Sequence, residues 1–185
     1  MPTKLVIDSN SIINFVKYHC FDKHDKSELY NKLETFILSK IKNKEIIVID
    51  KVLQELRNPD TQDIKTKIKP YEYNTEHLLD KIEPLIEENL VLINLRRYGD
   101  WELETLKQEY KEKHADLYLI SVCEEMKLQN PNIILISEET INKDKKIVEK
   151  IPTICKRRNI EYTNLPDMIF KIYKNELIFD LEVEN

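Results

Sequence analysis

With 185 residues the chain is long enough to fold as one domain that buries roughly two-thirds of its unfolded surface. Its single glycine, Gly99, excludes the glycine-rich loops that cradle phosphates in nucleotide-binding folds, and a net charge of −5 speaks against a general electrostatic grip on nucleic acid. Three scattered cysteines, Cys20, Cys123 and Cys155, lack metal-ligand spacing and predict small, buried, reduced thiols in a cytoplasmic protein.

The chain opens with Lys4–Ile7, a short run of strand formers, followed by Asp8-Ser9-Asn10-Ser11, residue types that cap helices. Apolar periodicity then resumes through Ile12, Ile13, Phe15 and Val16, as in a helix packed on a sheet. This pattern predicts a buried strand with a carboxylate, Asp8, at its C-terminal tip. That edge is where open α/β sheets bind ligands. No apolar run approaches the ~18 residues of a membrane span, and Lys4 and Asp8 interrupt any leader-like core. The expectation is a protein with no membrane partner.

Lys26 to Asn43 carries Leu29, Leu33, Phe36, Ile37 and Ile41 at helical spacing. Glu45–Ile49 reads as a second buried strand, and Asp50 as the cap of a helix whose stripe is Val52, Leu53 and Leu56, with Glu55 beside it. Pro59 ends that helix. Residues 59–113 are expected to form a helical insertion or cap, with Thr75–Asn89 helical but kinked or broken at Pro84 and a further helix from Gly99-Asp100 through Tyr110.

From Asp116, positions i+3, i+4 and i+7 are Leu119, Ile120 and Cys123, so the carboxylate shares a helix face with core residues. A helix N-terminus favours a negative charge there. Asn132–Ile136 predicts a third strand, closed by Ser137-Glu138-Glu139. A helix or turn over Lys143–Lys150, a helix starting near Pro152, a short edge strand at Glu161–Thr163 and a last helix over Asp167–Lys174 complete the expected single domain, 1–174, before an acidic tail, 175–185. Strand–helix alternation predicts an α/β fold of three layers, α/β/α, around a mostly parallel sheet.

Charge is unevenly spread. Residues 143–158 hold seven basic and two acidic side chains, a local +5 that leaves −10 elsewhere. Such a strip suits phosphate contact in one place, and Lys156, Arg157 and Arg158 are its expected exposed core.

Asp8, Asp116 and Glu139 then fall at strand ends or a helix start, and Glu55 lies one turn into the helix after the second strand. Oxygen-only clusters of this kind suit Mg²⁺ or Mn²⁺. Without a cation, converging carboxylates repel and titrate upward. Ile7-Asp8-Ser9-Asn10, Val52-x-x-Glu55-Leu56, Ala115-Asp116 and Ile136-Ser137-Glu138-Glu139, in that order, resemble the motifs of PIN domains. These are metal-dependent ribonucleases that include VapC-type toxins. The stretch Lys150–Cys155 followed by Asn164-Leu165 is similar to a PIN-like subfamily of unknown function.

The resemblance spans about residues 4–170 and implies an RNA-hydrolysing fold with Asp8, Glu55, Asp116 and Glu139 as the metal-holding, catalytic acids. Asn10 and Ser137 would support them. It implies RNA as substrate and, if the chain is toxin-like, an antitoxin protein as partner. Two departures stand out. Ser137 replaces the family's usual Thr, and two glutamates stand where one Asp is usual, Glu139 matching the spacing better. His114, close before Asp116, reads as a cap rather than a ligand. Tyr110 and the apolar residues of 75–95 could support a homodimer. The rival to the nuclease is a non-catalytic module that uses the same fold to hold RNA or protein. A haloacid-dehalogenase-like aspartyl nucleophile at Asp8 would want a second Asp two residues on, where Asn10 stands.

Overall fold

A computed structural model of the chain describes residues 2–19, 28–140, 147–174 and 176. Four strands, β1 (Lys4–Ile7), β2 (Ile46–Ile47), β3 (Ile133–Ile136) and β4 (Glu161–Thr163), form one sheet in the order β2-β1-β3-β4, every pair parallel. Helices flank this sheet in an α/β/α arrangement, as the strand–helix alternation implies. Parallel strands covered on both faces must be apolar throughout, and Leu5, Val6, Ile7, Leu135 and Ile136 are accordingly buried.

The order of the strands sets the position of the site. From β1 the chain moves outward to β2, then returns past β1 to β3 and continues outward to β4. The direction of winding therefore reverses between β1 and β3, and the C-terminal crevice at such a reversal is where open parallel sheets take ligands. Register places Ile7 opposite Ile136, and the N–H of Asp8 donates to the Ile136 carbonyl at 2.9 Å. Asp8 and Ser137 thus leave the sheet side by side at that crevice.

Helix α1 (Ser9–His19) follows β1, and α2 (Glu28–Lys42) packs against β2. Lys26, Ser27 and the preceding loop lie outside the described residues. Helix α3 (Asp50–Glu55) begins directly after the second strand segment. Asp50 is its first residue rather than its cap: the carboxylate accepts from the Lys51 N–H at 2.9 Å and the Thr75 hydroxyl at 2.6 Å, with Ile49 in the cap position. The expected strand over Glu45–Ile49 is shorter as a ladder, but Ile49 bridges Tyr73 in parallel and so extends that edge.

The middle of the chain is helical: α4 (Gln62–Ile68), α5 (Leu79–Glu88), α6 (Leu92–Leu95) and α7 (Asp100–Lys113). Pro84 lies inside α5 without ending it. Tyr110, expected as a possible contact to a second copy, is buried and stacks on His114, which caps α7.

Helix α8 (Asp116–Lys127) is the centre of the molecule, packing on β1, β3, α5 and α9 (Ile151–Arg157). Every side chain from Asp116 to Cys123 is buried, so Asp116 shares a core-facing side with Leu119, Ile120 and Cys123 as expected, and these first two turns are covered on their other sides as well. Cys155 packs nearby, and burial pushes its thiol up to about 12 and that of Cys123 well above its ordinary value. Both behave as apolar filler; Cys20 lies outside the described residues. Of the helix or turn expected over Lys143–Lys150, the described part, Ile147–Lys150, is not helical: Ile147 lies in a bend, Val148 bridges Leu90 antiparallel and Lys150 is extended, while residues 143–146 lie outside the described residues. The last helix divides into α10 (Leu165–Asp167) and a wider π-helical turn, Met168–Ile172, and beyond Glu176 the acidic tail lies outside the described residues. Among the described residues no helix is long and apolar enough to cross a membrane.

A candidate carboxylate site at the sheet reversal

Asp8 is 1% exposed, and both of its carboxylate oxygens face hydroxyls. The Ser137 hydroxyl donates to Oδ2 at 3.2 Å, while its own oxygen accepts the Glu139 N–H at 3.2 Å, which fixes the direction in which that hydroxyl points. On the other side, the Ser9 oxygen stands 3.2 Å from Oδ1 of Asp8 and 2.5 Å from Oε2 of Glu55. A serine has one hydroxyl hydrogen. It can donate to Asp8 or to Glu55 but not to both, so when both carboxyls are ionised one oxygen of this trio faces another without a proton between them.

The electrostatics match that geometry. The carboxyl of Asp8 is pushed up to about 6, first by burial and then by the negative charges of Glu55 and Glu139, with the two serine hydrogen bonds opposing. A bound divalent cation would reverse that balance, because its charge offsets the mutual repulsion of the carboxylates.

Of the remaining acids, Glu55 and Glu139 act on Asp8 and are held by backbone amides, whereas Asp116 is placed only by its helix. Glu55, the last residue of α3, accepts the Ala115 N–H on Oε1 at 2.9 Å and so joins the residue just before α8 to the cluster. Asp116, 8% exposed, follows at the first position of α8. Glu139 accepts the Ile151 N–H at 3.0 Å, while Glu138 turns to the Leu165 N–H at 2.8 Å. Adjacent glutamates thus serve different elements, and Glu139 is the one whose charge acts on Asp8.

One of the two expected supporting residues differs from expectation. Asn10 is exposed one position further along α1, and the hydroxyl that bridges Asp8 and Glu55 belongs to Ser9. The signal is present in the sequence as a hydroxyl directly after the strand-tip acid, but it reads equally well as a helix cap. The basic trio also divides. Lys156 is exposed, whereas Arg158, expected at the surface, has a side chain only 17% exposed and paired to Glu124 at 2.6 Å and Glu88 at 2.5 Å. Arg157 is exposed as expected, its side chain 43% accessible, but it is held by Glu149 and by the Asn89 side chain. Residues 143–146, the first part of the strip, lie outside the described residues.

Arg158→Gln is therefore expected to destabilise the fold by about 1–2 kcal/mol, between the values typical of exposed and buried pairs, since it leaves Glu88 and Glu124 without their shared cation. A thermal melt reads this as a fall of roughly 2–8 °C at this chain length. An unchanged melting temperature would mean that the pairs contribute nothing net.

Among the described residues, no group of three or more His, Cys, Asp or Glu side chains is already gathered as a metal cage. The donors are nonetheless of the right chemistry for a hard divalent ion, all oxygen, with one buried carboxylate under like-charge pressure. Mg²⁺ in proteins is commonly held by one or two carboxylates with waters completing its shell, which this crowded trio around Ser9 can supply.

Comparison with known proteins adds the family. A family model described as Domain of unknown function (DUF4411) matches residues 5–173. No curated protein matches the chain, and no solved structure does.

Proposed function

The chain belongs to this family of unknown function, whose description assigns no chemistry, and from the site itself we propose that it is a PIN-like ribonuclease that hydrolyses RNA phosphodiester bonds with Mg²⁺ or Mn²⁺. The observation that carries the reading is Asp8: a buried carboxylate at the sheet reversal, bonded by Ser9 and Ser137 and raised to about 6 by its burial and by Glu55 and Glu139. A fold keeps such a repelling group where a cation or a proton is to be held.

Asp8, Glu55, Asp116 and Glu139 would hold the ion, Asp8 at the centre. When bound, such an ion supplies a nucleophile from water at neutral pH and offsets charge on the phosphate. The chain's own contribution is to fix its ligands. Ser137 orients Asp8 through a hydroxyl whose direction is set by the Glu139 N–H, and the Ala115 and Ile151 amides hold Glu55 and Glu139. Lys156, exposed on α9, would meet a phosphate beyond the scissile one. If the protein acts as a toxin, its antitoxin would cover this crevice.

A second reading, a non-catalytic module that holds RNA or protein, draws on the ungathered state of the carboxylates among the described residues. The two readings part in one assay: single-stranded RNA incubated with the purified protein and Mg²⁺ or Mn²⁺. Cleavage that stops on chelation supports the enzyme, and binding without cleavage under every ion supports the module.

A further inference from the structure

Helix α9 begins at Ile151, whose N–H holds Glu139, and ends at Arg157. The segment leading into α9 is tied to the helical insertion by a short antiparallel bridge. Leu90 pairs with Val148, the Val91 N–H donates to the Ile147 carbonyl at 2.8 Å, and the Glu149 N–H donates to the Asn89 carbonyl at 2.9 Å. Asn89 closes α5 and is fully buried. Its amide nitrogen donates to the Leu85 carbonyl at 2.6 Å, which leaves its side-chain oxygen to accept from Arg157. The other arm of the same guanidinium donates to Glu149 at 2.5 Å.

The contacts close a ring. Arg157, at the far end of α9, grips both sides of the bridge, and the near end of the same helix grips Glu139. We propose that Arg157, Asn89 and Glu149 form a brace through which the helical insertion holds Glu139 against Asp8, Arg157 being a positioning residue for that acid rather than a contact to RNA. The fork geometry of arginine suits the task, since two partners on different segments are bonded by one planar group. Losing the arginine leaves the buried Asn89 oxygen unsatisfied, which loosens the bridge rather than the core. Only Glu149 and the extended Lys150 separate the bridge residue Val148 from Ile151, so slack in the bridge passes directly to Ile151.

The role of the insertion follows from this. Its α5 end fixes the described segment 147–150, whose next amide, at Ile151, holds Glu139, in addition to packing on α8.

The proposal rests on Glu139 belonging to the active cluster, so its test needs one arm that does not. In the full-length protein, Arg157→Gln is expected to speed amide hydrogen exchange at Glu149 and Ile151 by about tenfold or more, as loss of a charge-assisted bond predicts. Exchange at Leu5, Val6 and Ile7 should not change. Glu149→Ala, which removes the other arm's partner, should shift the same amides in the same direction. In RNA cleavage, Arg157→Gln should lower kcat by roughly 10–100-fold while leaving KM and its salt dependence unchanged.

Unchanged exchange at Ile151 in both variants overturns the brace, whether or not the protein cuts RNA. A raised KM with a shallower salt slope and intact kcat overturns it too, because that is the signature of a phosphate contact. If Glu139→Gln leaves cleavage untouched, the reading of the cluster fails, and the exchange result still decides the brace.

Discussion

Asp8→Asn is expected to reduce metal-dependent RNA cleavage by about a thousandfold or more, beyond the 10–100-fold that loss of a ligand's supporting partner gives. The amide keeps the size and one acceptor of the carboxylate but removes the charge at the centre of the cluster. The same substitution should make the ion-free protein more stable at neutral pH, which distinguishes a site residue from a structural one. The sign follows from the raised carboxyl. In the folded state Asp8 holds its proton up to about 6, against 3.8 for an ordinary aspartate, so its stabilising contribution is complete below the lower value and is lost as pH rises through the higher.

At pH 7.5 the parent therefore carries an ionised Asp8 in a hostile setting, and the asparagine variant does not. We expect the variant to be more stable by about 1–2 kcal/mol, less than the full linkage value because an acceptor for the serines is lost. That advantage should close as pH falls toward 4, where the parent's own carboxyl is neutral. Excess Mn²⁺ should invert the order by binding only the folded parent. Denaturant unfolding at the two pH values, with chelator and with Mn²⁺, reads all three effects. A variant less stable than its parent at pH 7.5 with chelator would mean that the carboxylate is structural.

The second large effect concerns the adjacent glutamates. Glu139→Gln should lower cleavage by about a hundredfold, since it removes one of the charges facing Asp8 while its amide oxygen can still accept the Ile151 N–H. Glu138→Gln should stay within a few-fold of the parent, because Glu138 serves the Leu165 amide at the start of α10 and an amide oxygen serves it equally well. Both variants should fold. If Glu138→Gln is the silent enzyme and Glu139→Gln the active one, the two roles have been exchanged.

Much of the frame is legible in the sequence because buried parallel strands are written as unbroken apolar runs. Lys4–Ile7 and Ile133–Ile136 are each followed by a polar residue, and the sheet order then sets Asp8 beside Ser137. The candidate acids stand out by the same physics, since a carboxylate at the tip of a buried run is costly to desolvate and so marks a place where something offsets its charge. What is not legible depends on contacts between distant residues. Ser9 can cap α1 or bridge to Glu55, and only the arrival of α3 decides. The arginines 157 and 158 look like a free basic strip until Glu88, Asn89, Glu124 and Glu149 fold against them. The spacing of α8 puts Asp116 on the face of Leu119, Ile120 and Cys123, but does not show that packing on the sheet, α5 and α9 buries every side of its first two turns. Tyr110, read as a possible contact to a second copy, is the one residue of α7 turned into the core, which only the packing of α7 decides.

If the carboxylates around Asp8 exist to hold a divalent ion for cutting RNA, activity must follow the ion and Asp8 together. The direct measurement is cleavage of a single-stranded RNA by chelator-treated protein before and after adding back Mn²⁺ or Mg²⁺, with Asp8→Asn run in parallel. The expected result is no cleavage after chelation, recovery with either ion, and no recovery in the variant. Cleavage that survives chelation, or that returns equally in Asp8→Asn, would contradict it.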